Sequence, residues 1–508
     1  MATVSLGSPA GKWVMVSTIL ASSMAFIDGT ALNVVLPSLQ QSLQATAADL
    51  FWILNAYLLM LAALILIGGA MGDSLGRKKI FMIGIFIFIV ASAACGVAGE
   101  VQLFIGFRIL QGIGGALMIP GSLSLISSSI DEKERGKAIG TWSAFTTVVT
   151  MGGPVLGGAL ADAGLWRYIF FINAPIGIVA LVILRGRVEE SREMGPGRSL
   201  DIPGAITIAL GLALVTFGCL RIPALGWKDM EVLGTLLGGG VLMTAYVVIE
   251  RRSRQPMMPL NLFANRNFSG ANLLTFFLYA GLGAGMLFLG LNMVQVQGYS
   301  QLQSGLSFLP FTILMITIAR RAGALADTFG PRLLLIGGPA LAGLGLFWLS
   351  LIGMTHGASE YWTSFFPGIV LFGLGMSFTV APLTATVMAS VSEHYSGTAS
   401  GINNALTRVA NVFANAILGA LAVFVFAGSV GKGIEGMGLN ETEKSAVVQQ
   451  SANLGNAKVP DKLEKEKREK VVKIYREGFV DVYQMMMKIS AVLAWLGAAA
   501  AFFMIARR

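Results

Sequence analysis

Long apolar runs broken by short polar stretches set the rhythm of this chain. A helix that crosses a bilayer needs about 20 mostly apolar residues. Fourteen segments meet that need, near residues 13–36, 50–71, 80–98, 101–126, 138–161, 168–184, 202–220, 231–249, 268–292, 303–322, 333–353, 362–388, 398–426 and 482–506. The runs near 101–126 and 362–388 are rich in glycine and resemble loops by composition. Glycine nevertheless suits membrane helices, because it lets neighbouring backbones approach closely. The first run follows Lys12 as a signal peptide would, but it continues past Asp28 to Leu36 with no cleavage site, so it reads as the first span. The pattern predicts an all-α polytopic membrane protein.

Composition points the same way. Only 12% of the 508 residues are charged and 55% are hydrophobic. Mean hydropathy is +0.73. Soluble chains carry about 25% charged residues, so here the surface itself faces lipid. A net charge of +9 would otherwise suggest a nucleic-acid partner. The basic residues instead cluster between apolar runs, and no nucleic acid is expected. Two cysteines, Cys95 and Cys219, form no disulfide framework, and two histidines, His356 and His394, leave almost no material for a metal site.

Lysine and arginine set orientation. With the N-terminus inside, cytoplasmic segments hold Lys12, Arg77, Lys78, Lys79, Lys133, Arg135, Lys137, Arg185, Arg187, Arg192, Arg198, Arg251, Arg252, Arg254, Arg266, Arg320, Arg321, Arg332, Arg507 and Arg508, whereas the short external loops hold only Arg167, Arg221 and Lys228. Both termini are therefore expected in the cytoplasm, with the chain in the cytoplasmic (inner) cell membrane. Residues 427–480 break the pattern as a basic external loop. Long loops translocate largely regardless of charge, and the mixed charges after Pro460 fit a solvated helix leading into the last span.

The halves repeat. Gly112, Gly114, Gly136, Gly140 and Gly158 return as Gly373, Gly375, Gly397, Gly401 and Gly419, all at an offset of 261. Gly69, Asp73 and Gly76 return as Gly323, Asp327 and Gly330 at an offset of 254. Parallel halves are one known transporter plan. The expected domains are a six-helix bundle over 1–184, linkers with two inserted helices over 185–266, and a second six-helix bundle over 267–508.

Four motifs carry a family resemblance. After span 2 comes Gly69-Ala70-Met71-Gly72-Asp73-Ser74-Leu75-Gly76-Arg77 with two further lysines; span 1 holds Asp28-Gly29-Thr30-Ala31-Leu32-Asn33; span 4 holds Arg108-Ile109-Leu110-Gln111-Gly112-Ile113-Gly114; span 5 holds Gly153-Pro154-Val155-Leu156-Gly157-Gly158. The set resembles the major facilitator superfamily, and within it the fourteen-spanner drug/proton antiporter family, over nearly the whole chain. Departures are Ser74 for a usual Arg and Val149 for the Gly that opens the antiporter motif. Span 10 lacks an acidic residue that some exporters of dications carry. The resemblance implies a gate loop at Gly69, Asp73, Gly76, Arg77 and Asp327, and an antiporter motif of Gly153, Pro154, Gly157 and Gly158 that seals against proton leak. A plain helix kink at Pro154 is the simpler alternative.

Charges inside a span are costly and usually functional. Asp28 lies about 12 Å and Arg108 about 10 Å below the same boundary, from the ~1.5 Å rise per residue. At matched depth each lowers the cost of the other, and separating them favours protonation of the acid. Asp28 is thus the candidate for the coupling proton, with Arg108 as its modulator; a static structural pair is the alternative. Asn404, Arg408, Asn411 and Asn415 share one face of span 13, and the offset maps them onto Ser143, Thr147, Thr150 and Pro154. The candidate substrate cavity comprises Asn33, Gln111, Thr147, Asn272, Tyr279, Asn404, Arg408, Asn411 and Asn415; interhelical hydrogen bonding is the competing role.

No phosphate-binding Gly-Lys-Ser/Thr loop occurs, so no cofactor beyond a proton gradient is expected. The expected protein is a proton-coupled antiporter, active as a monomer, exporting small amphipathic organic compounds. Alternatives are a dedicated exporter of an endogenous metabolite, siderophore or lipid-like compound, for which Arg408 would favour anionic or neutral cargo, and a membrane enzyme or sensor, for which no catalytic grouping or signalling domain is seen.

Overall fold

Side-chain caps set the starts of several helices. In the computed structural model, residues 4–191, 201–253, 256, 258–391, 396–460 and 463–506 are described. The side chains of Asp73, Ser74, Lys133, Gly136, Ser143, Thr147, Arg320, Asp327 and Gly397, and all of Arg192, Arg198, His394, Arg254, Arg507 and Arg508, lie outside the described residues. Ser8 caps α1 (Pro9–Leu43) by accepting the Gly11 N–H. Thr46 and Asp49 form a reciprocal capping box on α2 (Ala47–Leu75). Gly76 then turns the chain at φ 115°, a value that favours glycine, into α3 (Arg77–Val97). The first six crossings continue with α4 (Val101–Ser129), α5 (Glu132–Asp162), and the pair α6 (Tyr168–Phe171) and α7 (Asn173–Arg187). The inserted pair is α8 (Ile202–Leu225) and α9 (Met230–Arg252). Then follow α10 (Arg266–Gln295), α11 (Gln301–Ser307) with α12 (Leu309–Phe329), α13 (Arg332–Leu349), α14 (Phe365–Ala389), α15 (Ser396–Gly433), the short α16 (Glu441–Gln449) and α17 (Lys465–Met504).

Among the described residues thirteen helices are long and apolar enough to cross a membrane, and α5 carries a shorter apolar stretch, Val148–Asp162, in the place of the expected fifth crossing. Among the described residues there is no strand, only an isolated bridge of Val4 to Ile130. Helices α4 and α14 confirm that the two glycine-rich runs are helical. Within residues 427–480 the solvated helix expected after Pro460 is present, and further helix precedes it. Helix α15 continues to Gly433, and α17 starts at Lys465 as one 40-residue helix. Pairs at helical spacing, Glu466 with Lys470 at 2.7 Å and Lys473 with Glu477 at 3.7 Å, sustain α17 beyond its apolar part. Its inner face buries Val471, Tyr475 and Phe479.

Glycines set how closely the helices pack. A Cβ at Gly84 would stand 2.8 Å from Met118 N, and one at Gly114 2.6 Å from Phe88 N, which locks α3 to α4. Gly338 and Gly375 make the equivalent approach between α13 and α14. Gly112 meets Tyr57 of α2, and Gly373 meets Phe311 at the start of α12, which lies 254 residues further on. The repeat is thus a repeat of packing, not of glycine composition alone. The inserted α8 packs on α2 and α15, one helix from each half, while α9 lies outside it with Leu237 and Val241 exposed. In water such a surface would aggregate; in a bilayer it is the ordinary lipid face.

Candidate functional site

Helix α1 carries Asp28, and α4 carries Arg108 and Gln111. Gly112 brings α4 against α2, since a Cβ there would stand 2.6 Å from Tyr57 O. That approach lays the Tyr57 ring 4.5 Å from the Arg108 guanidinium, a cation–π contact. Arg108 Nη1 donates to Asp28 Oδ2 at 2.6 Å and to Gln111 Oε1 at 2.7 Å. Gln111 Nε2 donates to Asp28 Oδ1 at 2.9 Å, closing a ring of three side chains. Arg108 Nε donates to the Ile53 carbonyl at 3.3 Å. The acid and the base are 0% and 1% exposed. Charge-assisted bonds are the strong ones, and with water excluded the carboxylate finds its hydrogen-bond donors in Arg108 and Gln111. Gln111, expected at the cavity, bridges acid and base. Tyr57 had no sequence signal, because nothing in a run of apolar residues marks which aromatic ring faces the charge.

The stripe on α15 does not form one uniform wall. Asn404 is exposed and donates only to the Ser400 carbonyl of its own helix at 3.0 Å. Its neighbour Asn403, not singled out above, donates to Asn272 Oδ1 at 3.1 Å and Thr275 Oγ1 at 2.7 Å on α10. Asn272 is 2% exposed, so its role is a helix–helix hydrogen bond rather than a lining of open space. Asn411 occupies room left by Gly283 of α10, and Asn415 is buried. Arg408 and Tyr279 are half-buried. Asn33 is half-buried too, where α1 faces Gly290 of α10.

Between described residues, every hydrogen bond linking the first six crossings to the last six lies at one end, where residues 44–46 join α1 to α2. Asp162, the last residue of α5, accepts the backbone N–H groups of Gln301 and Leu302 at 2.9 and 3.0 Å, at the start of α11. Gln301 also donates to the Ser38 hydroxyl. Gln40 of α1 accepts from Gln295 at 3.2 Å and Asn456 at 2.8 Å, and donates to Asn453 O at 3.2 Å. Here the Gly-Pro motif does its packing. Gly153 lies against Thr30, Gly157 lies against Ala31, Gly158 lies against the Gln301 backbone, and Gly305 lies against Pro154 O. Helix α5 runs unbroken through Pro154. The motif is a seam between helices of both halves.

At the other end, Gly69 faces Pro120 and Gly76 makes the turn. The Lys78 and Lys79 N–H groups at the start of α3 donate to the Glu190 carboxylate at 2.9 and 3.0 Å, while Arg77 N donates to Ser191 O at 2.9 Å. The basic run thus binds the segment after α7 in its own half. Glu190 was not anticipated, because an acid in a linker beside Glu189 carries no spacing signal that tells which of the two turns toward α3.

A fourteen-crossing bundle with repeated packing in its halves and a buried acid–guanidinium pair defines a polytopic membrane transporter. The sequence profile of the Major Facilitator Superfamily matches residues 18–415, and the chain belongs to that superfamily. It is 32% identical over 405 residues to the tetracenomycin C resistance and export protein of Streptomyces glaucescens, covering 78% of this chain and 73% of that one. It is 32% identical over 411 residues to the multidrug resistance protein Stp of Mycobacterium tuberculosis, covering 80% and 75%. In fold it is similar to a bacterial homolog of the human lysosomal transporter Spinster, with a TM-score of 0.68, 19% identity and 98% and 97% of the two chains covered. The xylose transporter XylE from E. coli aligns with a TM-score of 0.60 and 14% identity over 98% and 97%.

Proposed function

We propose that this chain is a proton-coupled antiporter of the cytoplasmic membrane that exports small amphipathic compounds, antibiotics among them, with both termini in the cytoplasm. The observation that carries the coupling is the fully buried Asp28–Arg108–Gln111 ring. The names of the relatives, with resistance and export in their descriptions, support the direction and the cargo. In the exchange, ionised Asp28 holds Arg108. A proton reaching Asp28 from outside, while the seam is open, cancels that attraction and leaves Arg108 with Gln111, the Ile53 carbonyl and the Tyr57 ring. The two halves then rock against each other around the central site, closing the seam at α1, α5 and α11 and opening the cytoplasmic side, where the proton leaves and cargo binds. The loaded carrier rocks back, the seam opens and the cargo is released outside. Each proton entering is worth about 2.3 kcal/mol per 100 mV of membrane potential, so one proton sustains roughly a fortyfold gradient of an uncharged cargo per 100 mV by the 1.4 kcal/mol per tenfold rule.

The test is flux in proteoliposomes under an imposed pH gradient, with substrate-dependent proton movement as the readout. Asp28→Asn is expected to abolish gradient-driven export while the protein stays folded. Coupling retained in that variant would overturn the assignment of the proton to Asp28.

A further inference from the structure

Arg408 is the second guanidinium inside the bundle, and its surroundings differ from those of Arg108. It lies about 18 Å along α15 from Ser396, at ~1.5 Å per residue. Its Nε is buried with no hydrogen-bond partner, and no carboxylate or carbonyl among the described residues pairs with the side chain. Its helix packs against α2 of the first half and α10 of the second, the helices that carry Tyr57 and Tyr279. Tyr57 is also the ring on which Arg108 rests. Arg408 therefore lies on a helix between the halves, and it is half-exposed there.

Charge balance decides what this place accepts. Apart from Glu231, which opens α9, Asp28 is the only acidic residue in the fourteen apolar runs. Its carboxylate is already satisfied by Arg108 and Gln111. Arg408 is left as an uncompensated positive charge, and protonation of Asp28 adds a second. A guanidinium presents five N–H donors in a planar fork, matched to a planar carboxylate or similar anion. A structural arginine at such depth would spend those donors on carbonyls or an acid; this one does not. A cationic ligand would meet repulsion in both protonation states of Asp28.

We propose that the central site takes amphipathic organic anions, carboxylates or phenolates on an apolar body, with Arg408 as the group that binds the anion. The proposal rests on the export reading above and narrows its cargo. It is also energetically consistent. An inside-negative potential drives an anion outward, and a proton entering in exchange moves charge in the same electrical sense, so the two drives add. Tyr57 and Tyr279 would flank the apolar body next to the charged head.

The test uses two dyes with the same xanthene body and opposite charge, fluorescein and rhodamine 6G. Both are titrated at equilibrium against the full chain in lipid nanodiscs, with no pH gradient. Wild-type protein is expected to bind fluorescein at least tenfold more tightly than rhodamine 6G. Arg408→Gln is expected to lose at least tenfold of the fluorescein affinity without weakening rhodamine 6G, Arg408→Lys to recover part of it, and Arg408→Glu to reverse the preference. Intact rhodamine 6G binding or an unchanged melting temperature shows that the variants are folded. Equal or tighter binding of rhodamine 6G by the wild type, no binding of either dye, or unchanged fluorescein binding in Arg408→Gln overturns the proposal. Proton-coupled export of rhodamine 6G would sink this proposal and leave the coupling reading standing. Arg408-dependent fluorescein binding with no proton movement would do the reverse.

Discussion

Arg108 Nη1 and Asp28 Oδ2 stand 2.6 Å apart, from helices joined only through 80 residues of chain. Removing one member of a buried pair strands the other charge and costs about 3–5 kcal/mol, whereas replacing both members together costs far less. Asp28→Asn and Arg108→Gln are therefore expected to lower thermal stability, and the double variant to recover much of the loss. Melting curves in detergent read this directly. Strictly additive losses would mean that the two charges do not neutralise each other.

Gly158 has no room for a side chain, because the Gln301 backbone fills the space. Gly158→Val would force α5 and α11 apart, with overpacking of about 1–3 kcal/mol. The expected result is a loss of roughly tenfold or more in export, from a state that no longer closes at this end. Labelling of Asn33→Cys by an impermeant maleimide checks it, after replacing Cys95 and Cys219, both buried. Labelling that stays at the wild-type level would count against the seam.

Asp162 accepts the first N–H groups of α11 across the divide between the halves. An anion at a helix N-terminus contributes about 0.3–1 kcal/mol. Asp162→Ala should shift the balance toward opening at that end by about two- to fivefold, seen as faster labelling of the same Asn33→Cys probe. Slower labelling would contradict the latch.

Glu190 satisfies two N–H donors at the start of α3. Hydrogen bonds to a charged group contribute about 1.5–3 kcal/mol each at most, less where solvent reaches them. Glu190→Ala is expected to lower the melting temperature and to speed amide exchange at Lys78 and Lys79, with Glu190→Gln milder. Exchange unchanged at both residues would show that water replaces the carboxylate without loss.

Much of the site was legible because depth in a membrane is a one-dimensional quantity. Counting residues from the span ends put Asp28 and Arg108 at the same level, and they touch. The rotation of each helix about its axis is not one-dimensional. The stripe of Asn404, Arg408, Asn411 and Asn415 has correct helical spacing, yet Asn403 is the residue that bonds α10, through Asn272 and Thr275. A shift of one residue turns a side chain by about 100°, and only packing against α2, α8 and α10 decides which one points inward. The solvated helix expected after Pro460 is the first part of α17, while the continuation of α15 to Gly433 and the short α16 had no such signal.

The sequence by itself determined fourteen crossings, their repeat in two halves and the pair of opposite charges at one depth. Each follows from local partition between lipid and water and from where small residues fall, neither of which needs the neighbours. Only the tertiary structure decided that Gln111 closes the ring around Asp28, that Asp162 reaches Gln301 139 residues away, and that Arg408 is left without an acid. These depend on which helices lie side by side and how each is turned, quantities fixed by steric fit between glycine-lined surfaces rather than by the preference of any residue for its own surroundings.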